Sequence, residues 1–146
     1  MLKLKLSLAI FALALTPLAA PLLAPSHPFV ALLIRGFFSR LCHQDPGRSF
    51  VVDGSPIAVC VRCLGIYCGA ALGSLPGIGR VAARRLLAIA LAINLLDVAT
   101  ASLHWHGSLP LPRFLLGLLL GVGAGAVIFS PLRRSWRRLS SEDPWG

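Results

Sequence analysis

Four long apolar stretches dominate the hydropathy pattern of this 146-residue chain. They cover about residues 4–24, 56–75, 81–103 and 113–131. About 20 residues of α-helix rise roughly 30 Å, which matches the hydrocarbon core of a bilayer. The pattern therefore predicts four transmembrane helices in a single membrane domain over residues 1–132, followed by a basic tail over residues 133–146.

The first apolar stretch also resembles a secretory signal peptide, because Lys3 and Lys5 precede its uninterrupted apolar run from Leu6 to Ala24. Proline directly follows both small residues at which cleavage would be expected, Ala20 and Ala24. Proline at that position disfavours cleavage, so we interpret the stretch as an uncleaved first span.

The segment between the first two spans predicts a short helix and a cysteine-rich loop. Residues 27–41 are apolar but too short to cross a bilayer, and they contain two arginines, which favours a helix lying at the interface. Asp45-Pro46-Gly47 and Asp53-Gly54 are turn signals. Ser55-Pro56 is typical of a helix start, with serine as the N-cap and proline at the first helical position.

Composition agrees with a membrane protein. Apolar residues make up 56% of the chain, charged residues make up 13%, and the mean hydropathy is +0.80, whereas soluble domains carry roughly 25% charged residues. The net charge of +9 would favour nucleic-acid binding in a soluble protein. No basic and aromatic platform accompanies it here, so we expect the lipid bilayer and no nucleic acid as a partner.

The basic residues also predict the orientation. With the N-terminus in the cytoplasm, nine of the fourteen Lys and Arg residues lie on the cytoplasmic side, namely Lys3, Lys5, Arg80, Arg84, Arg85, Arg133, Arg134, Arg137 and Arg138. Because cytoplasmic segments collect Lys and Arg, we expect both termini inside and the cysteines on the outer face of the plasma (inner) membrane.

Two glycine ladders predict close helix packing. Glycine recurs every fourth residue on the second span, at Gly65, Gly69 and Gly73, and on the fourth span, at Gly117, Gly121 and Gly125. Small residues at this spacing let helix backbones approach closely in lipid. The sequence leaves open whether the ladders meet within one chain or between two chains of a homo-oligomer.

The third span contains a polar pair, Asn94 and Asp97, one helical turn apart on one face. A carboxylate about 9 Å below the membrane surface is costly unless it is paired or faces a wet cavity. Arg62 and Arg113 lie at the same predicted depth, and their long side chains can reach it. The pattern fits a structural ion pair or a functional carboxylate equally well.

The cysteines and a neighbouring histidine predict a metal site. Cys42, His43, Cys60 and Cys63 supply three thiols and one imidazole, a combination that tetrahedral zinc often uses. The histidines within residues 104–106 are an alternative source of the fourth ligand, because the predicted topology places them on the same face. Three thiolates alone also suit copper(I).

Two other functions fit the same cysteines. A C-x-x-C pair at a helix start is typical of a redox-active dithiol, so Cys60 and Cys63 with Cys42 would make the chain a thiol–disulfide oxidoreductase. A disulfide there would otherwise only staple the loop in a structural or assembly protein. Arg48 and Arg62 beside the thiols would stabilise thiolates or bind an anion.

The string Cys42-His43-Gln44, with Arg48-Ser49-Phe50 and then Cys60-Val61-Arg62-Cys63-Leu64-Gly65-Ile66-Tyr67, resembles a known family. It is similar to the small predicted membrane proteins grouped as domain of unknown function 2085. The resemblance covers about residues 40–125, and that family tends to carry an Asn, an Asp and an Arg where this chain has Asn94, Asp97 and Arg113. The resemblance implies no activity, only that these residues belong together.

The predicted fold is an all-α integral membrane bundle of about four transmembrane helices, with a short interfacial helix and a cysteine-rich outer loop. The leading hypothesis is a zinc or copper site formed by Cys42, His43, Cys60 and Cys63. The surrounding polar site is predicted to include Gln44, Arg48, Arg62, Tyr67, Asn94, Asp97 and Arg113. The sequence leaves open whether the protein is an enzyme.

Overall fold

The computed structural model describes residues 2–75, 79–103 and 109–141, and this part of the chain is almost entirely helical. Five α-helices follow one another: α1 (Leu2–Leu23), α2 (Pro28–Ser39), α3 (Val61–Ser74), α4 (Arg80–Ser102) and α5 (Pro110–Ser141). The loop between α2 and α3 contains a 3-10 turn, Pro46–Arg48, and a hairpin of two short strands, β1 (Val51–Val52) and β2 (Ser55–Pro56). The all-α class predicted from the sequence is confirmed.

Helices α3 and α5 form the tightest contact of the fold, and they meet through the two glycine ladders. A Cβ atom built on Gly117 would overlap the carbonyl oxygen of Arg62, and one built on Gly65 would overlap that of Phe114. Because the contacts advance together along both helices, α3 and α5 run parallel. The predicted close packing is confirmed, and it occurs within a single chain. A homo-oligomer through the same glycine faces stays a prediction, and it would compete with this contact.

The remaining helices flank this central pair. Helix α4 packs on α5, where the Asn94 side-chain amide donates hydrogen bonds to the carbonyl oxygens of Ala90, at 2.9 Å, and Leu116, at 3.0 Å. Helix α1 packs on α3 and α2, and its small residues Ala14 and Ala20 are buried. The α2–α3 loop and the N-terminal ends of α3 and α5, which carry much of the predicted site, lie together at one end of the bundle.

Large apolar side chains cover much of the outside of the bundle. Leu13 of α1 is 55% exposed, Phe29 of α2 is 70% exposed and Leu96 of α4 is 65% exposed. Within the described residues, the stretch Pro110–Ser130 of α5 is long and apolar enough to cross a membrane by itself, with a mean hydropathy of 1.9. Helix α3 has 14 residues and therefore rises only about 21 Å.

Helix α3 begins at Val61, five residues after the start predicted at Pro56, with Cys60 as its N-cap. The serine and proline that suggested a helix start form strand β2 instead. The intervening Asp53 and Gly54 have φ angles of 49° and 74°, as a type I′ hairpin turn requires. The Asp-Gly dipeptide was therefore the stronger local signal, and the interpretation of Ser55 as an N-cap was wrong.

The other helix boundaries lie close to the predicted ones, apart from the end of the chain. Helix α5 continues through residue 131 to Ser141, so most of the predicted tail is a helical extension of α5. The histidine loop at residues 104–106 and the last five residues lie outside the described part of the structure.

Candidate functional site

Two prolines in α1 anchor the segment that leads to Cys60. Pro21 has no N–H group, so the carbonyl oxygen of Pro17 lacks its usual partner within the helix. The N–H group of Ala58 donates to that oxygen at 3.2 Å. Residues 57–59 are at most 1% exposed, so the backbone immediately before Cys60 is fixed against α1.

Gln44 ties the same segment to α2. Its side-chain amide donates hydrogen bonds to the carbonyl oxygens of Arg35, at 2.7 Å, and Ala58, at 2.8 Å. Arg35 in turn donates to the carbonyl oxygen of Pro56 at 2.7 Å. The backbone of Gln44 has a φ angle of 52°, a left-handed conformation that is uncommon outside glycine. These bonds hold Cys42, two residues earlier, beside Cys60.

We expect Gln44→Ala to lower the free energy of unfolding by about 1–3 kcal/mol, because two carbonyl groups lose their donor. The same change should speed alkylation of Cys42, which is only 7% exposed. Denaturant titration in detergent and timed labelling with a maleimide measure the two effects. Ser39→Ala is the control, since its exposed hydroxyl bonds only Gly36 in its own helix. Equal behaviour of the two variants would contradict the tethering role of Gln44.

Three thiols meet where these tethers converge. The sulfur atoms of Cys42, Cys60 and Cys63 all lie within 4.8 Å of one another. Cys42 is buried, the other two are half-buried, and the N–H group of Cys60 donates to the Cys42 sulfur at 3.1 Å. We call these residues the thiol group. Cys68, further along α3, is a half-buried residue that packs against the apolar core.

The thiol group favours the ionised form of Cys60, which precedes the first residue of α3. A hydrogen bond from the Cys63 thiol, followed by smaller contributions from the Cys63 backbone and Cys42, lowers the pKa of Cys60 from 9.0 to about 5 against the opposing effect of burial. The surroundings of Cys60 therefore favour its thiolate form. The thiolate is the form that binds metals and attacks disulfides.

An ion-pair cluster joins α3, α4 and α5 near the thiol group. A terminal nitrogen of Arg62 donates a hydrogen bond to Oδ2 of Asp97. Nε of Arg113 lies 3.9 Å from the same oxygen. The predicted pairing of Asp97 with these two arginines is confirmed. Arg113 is only 7% exposed, so one carboxylate faces two guanidinium groups in a largely buried setting.

A cavity of about 400 Å³ lies between the α2–α3 loop and the N-terminal ends of α3 and α5. The thiol group borders it, as do Arg48, Arg62 and Arg113. His43 also lines the cavity, but it is exposed and the thiol group forms without its imidazole. Tyr67, which was also predicted to belong to the site, packs against Phe38, and the centroids of the two rings are 5.8 Å apart. The structure thus places a potential ligand set and three positive side chains around one space.

Sequence reasoning missed the tethers that shape this site, namely Pro17, Pro21 and Arg35. A signal for the first two was present, because two prolines four residues apart in an apolar helix leave a carbonyl group without its helical partner. Arg35 had no comparable signal, since an arginine in an apolar helix also fits contact with lipid headgroups.

Comparisons with known proteins connect this site to a family. Residues 42–127 match the model of a family described as predicted membrane protein, DUF2085. An uncharacterized protein of Methanocaldococcus jannaschii is 44% identical over 45 residues, which cover 31% of this chain and 29% of that protein. Another, from Methanothermobacter thermautotrophicus, is 36% identical over 91 residues, which cover 59% of this chain and 82% of that protein. No solved structure matches the chain.

Proposed function

The chain belongs to the family of predicted membrane proteins called domain of unknown function 2085, and on that premise we propose that it binds a zinc or copper ion. The observation that carries the proposal is the convergence of three sulfur atoms, from Cys42, Cys60 and Cys63, within 4.8 Å of one another. Two of them lie at the start of a helix and the third lies eighteen residues before Cys60, so the fold itself brings them together.

The distances and surroundings suit a thiolate site. Sulfur ligands lie about 2.3 Å from zinc, so two of them in a tetrahedral shell are roughly 3.8 Å apart. The thiol group needs little contraction to reach that arrangement. The N–H group of Cys60 donates a hydrogen bond to the Cys42 sulfur, and outer hydrogen bonds of this kind support ligands in many metal sites.

The fourth coordination position distinguishes the two metals. Zinc would take the imidazole of His43 or a ligand entering from the cavity, because it prefers four ligands. Copper(I) is a soft ion that three thiolates satisfy. In either case the protein supplies three ligands, and the cavity gives access to the ion.

We further propose that α1, α3, α4 and α5 span the membrane, with both termini in the cytoplasm. The exposed apolar side chains on α1 and α4 support this arrangement, because a surface of that kind is expensive in water and favourable in lipid. The parallel course of α3 and α5, with one helix between them, fits alternating spans. The thiol group then lies at the outer surface.

Metal and thiol analysis of the full chain, purified in detergent without chelator, tests the metal site. We expect about one zinc or copper ion per chain in the wild type and near-complete loss in Cys60→Ser/Cys63→Ser. Cys68→Ser is the matched control, because this cysteine lies on α3 outside the thiol group, and it should keep the metal. Absence of metal from the wild type, or retention by the double variant, would overturn the proposal.

The lowered pKa of Cys60 beside Cys63 supports a second candidate, a thiol–disulfide oxidoreductase. Cys60 and Cys63 would form a disulfide and pass two electrons and two protons to a partner disulfide, which becomes a dithiol. The same analysis separates the candidates. An oxidoreductase would contain no metal, and two of its thiols would be detected only after a reductant is added.

A further inference from the structure

The cavity beside the thiol group has an excess of positive charge on its arginine side. Arg62 and Arg113 share the carboxylate of Asp97, while Arg48 at the rim pairs with Asp45 at 3.2 Å. Two guanidinium groups facing one carboxylate leave one positive charge uncompensated by that carboxylate. We propose that the cavity binds a phosphate group, held by Arg62 and Arg113 with Arg48 at the entrance.

The hydrogen-bonding capacity of the two inner arginines supports this proposal. Nε of Arg113 lies 3.9 Å from the Asp97 carboxylate, which is longer than a hydrogen bond. The N–H groups of Arg113 are therefore not hydrogen-bonded to Asp97, although this side chain is only 9% exposed. Within the described ranges, Nε of Arg62 is buried and has no hydrogen-bond partner. Arginine offers five N–H donors in a planar fork that suits phosphate oxygens.

The helices add to the positive potential. Residues at the first positions of α3 and α5, Val61 and Pro110, both line the cavity. The N-terminal end of a helix carries a partial positive charge that favours anions. Two such ends therefore act on the space in which the guanidinium groups meet.

The thiol group does not account for these charges. Arg62 and Arg113 face the carboxylate of Asp97 on α4 rather than the three sulfur atoms. The arginine side of the cavity is therefore a separate binding region, and the proposal does not depend on the metal.

The dimensions and walls of the cavity fit a phosphate attached to a larger molecule. A volume of about 400 Å³ exceeds that of an inorganic ion, and Leu41, Phe50 and Val51 provide apolar surface beside the arginines. The phosphate comes either from an anionic phospholipid or from a soluble phosphate compound, and both present the same charged oxygens.

The test uses the full chain in phosphatidylcholine nanodiscs, with inorganic phosphate titrated in one arm. In the other arm the discs also contain phosphatidylglycerol, and the lipid retained by the detergent-extracted protein is quantified by mass spectrometry. We expect Arg113→Gln to weaken binding about tenfold, which corresponds to losing one charged hydrogen bond. Arg40→Gln is the control, since this arginine is exposed and does not line the cavity.

Arg48→Gln is a second variant that tests binding without the risk of misfolding that comes with a buried arginine. Arg48 is exposed, and its replacement leaves the buried ion pairs intact. It should weaken binding about two- to fivefold, as for an exposed charge pair. Arginine-dependent binding of inorganic phosphate would identify a soluble source, and arginine-dependent retention of phosphatidylglycerol alone would identify a lipid. Binding in neither arm, or equal binding by Arg48→Gln and Arg40→Gln, would overturn the proposal. Persistence of binding in Cys60→Ser/Cys63→Ser would separate it from the metal site.

Discussion

Replacing Gly121 with leucine should separate α3 from α5 and lower the free energy of unfolding by about 3 kcal/mol or more. Even a Cβ atom at this position would overlap the carbonyl oxygen of Ile66 and crowd the backbone nitrogen of Ala70. Both are backbone atoms, so no side-chain rotation relieves the clash. Titration of the detergent-solubilised chain with SDS, followed by circular dichroism, measures the loss.

Gly36→Leu is the matched control for this experiment. Gly36 is also a helical glycine, in α2, but nothing lies within 4 Å of the position that a Cβ would occupy. Because glycine is a poor helix former, this substitution should be neutral or stabilise the protein by roughly 0.5–1 kcal/mol. A similar loss in both variants would show that the glycine ladders do not form the contact between α3 and α5.

Asp97→Ala should be the other severe substitution, with an expected cost of about 3–5 kcal/mol. It removes the carboxylate that faces two guanidinium groups, one of them 25% exposed and the other 9% exposed. We expect the loss of unfolding free energy to lie near the lower end of this range, because the more exposed arginine, Arg62, can turn toward water. The same SDS titration measures it, and a cost below about 1 kcal/mol would contradict the role of this cluster.

A triple variant that removes every charge of the ion-pair cluster complements the measurement on Asp97→Ala. Arg62→Met, Asp97→Leu and Arg113→Met together remove all three charges while keeping similar side-chain volumes. Replacing a buried ionic cluster with apolar residues is often neutral for stability, so the triple variant should recover most of what Asp97→Ala loses. It should nevertheless fail to bind phosphate, which separates the structural role of the cluster from its role in binding.

The helices and their contacts were predictable because their signals repeat along the chain. Glycine every fourth residue predicted which faces of α3 and α5 pack closely, although it left open whether they meet within one chain. The spacing of Asn94 and Asp97 predicted a shared polar face on α4. The depth of Asp97 in its predicted span then selected Arg62 and Arg113 as partners. The first two inferences use helical periodicity, which depends only on local sequence.

The loop that carries Cys42 was harder to predict, because its shape depends on contacts between distant residues. Nothing near Gln44 in the sequence reveals that its amide reaches the carbonyl groups of Arg35 and Ala58. The start of α3 was misplaced for a different reason, since Ser55-Pro56 satisfies the rules for a helix start and for a strand after an Asp-Gly turn. Pairing with β1 across Asp53-Gly54 decides in favour of the strand.

The distribution of the ion-pair cluster over α3, α4 and α5 has a consequence for biosynthesis. A ribosome delivers Arg62 first, Asp97 after a further 34 residues have been added and Arg113 only with α5. Until α5 emerges, the glycine face of α3 is also uncovered. The short α3 therefore lacks its packing partner until α5 has been made, and a chain truncated ahead of α5 would present an unfinished bundle to cellular proteases.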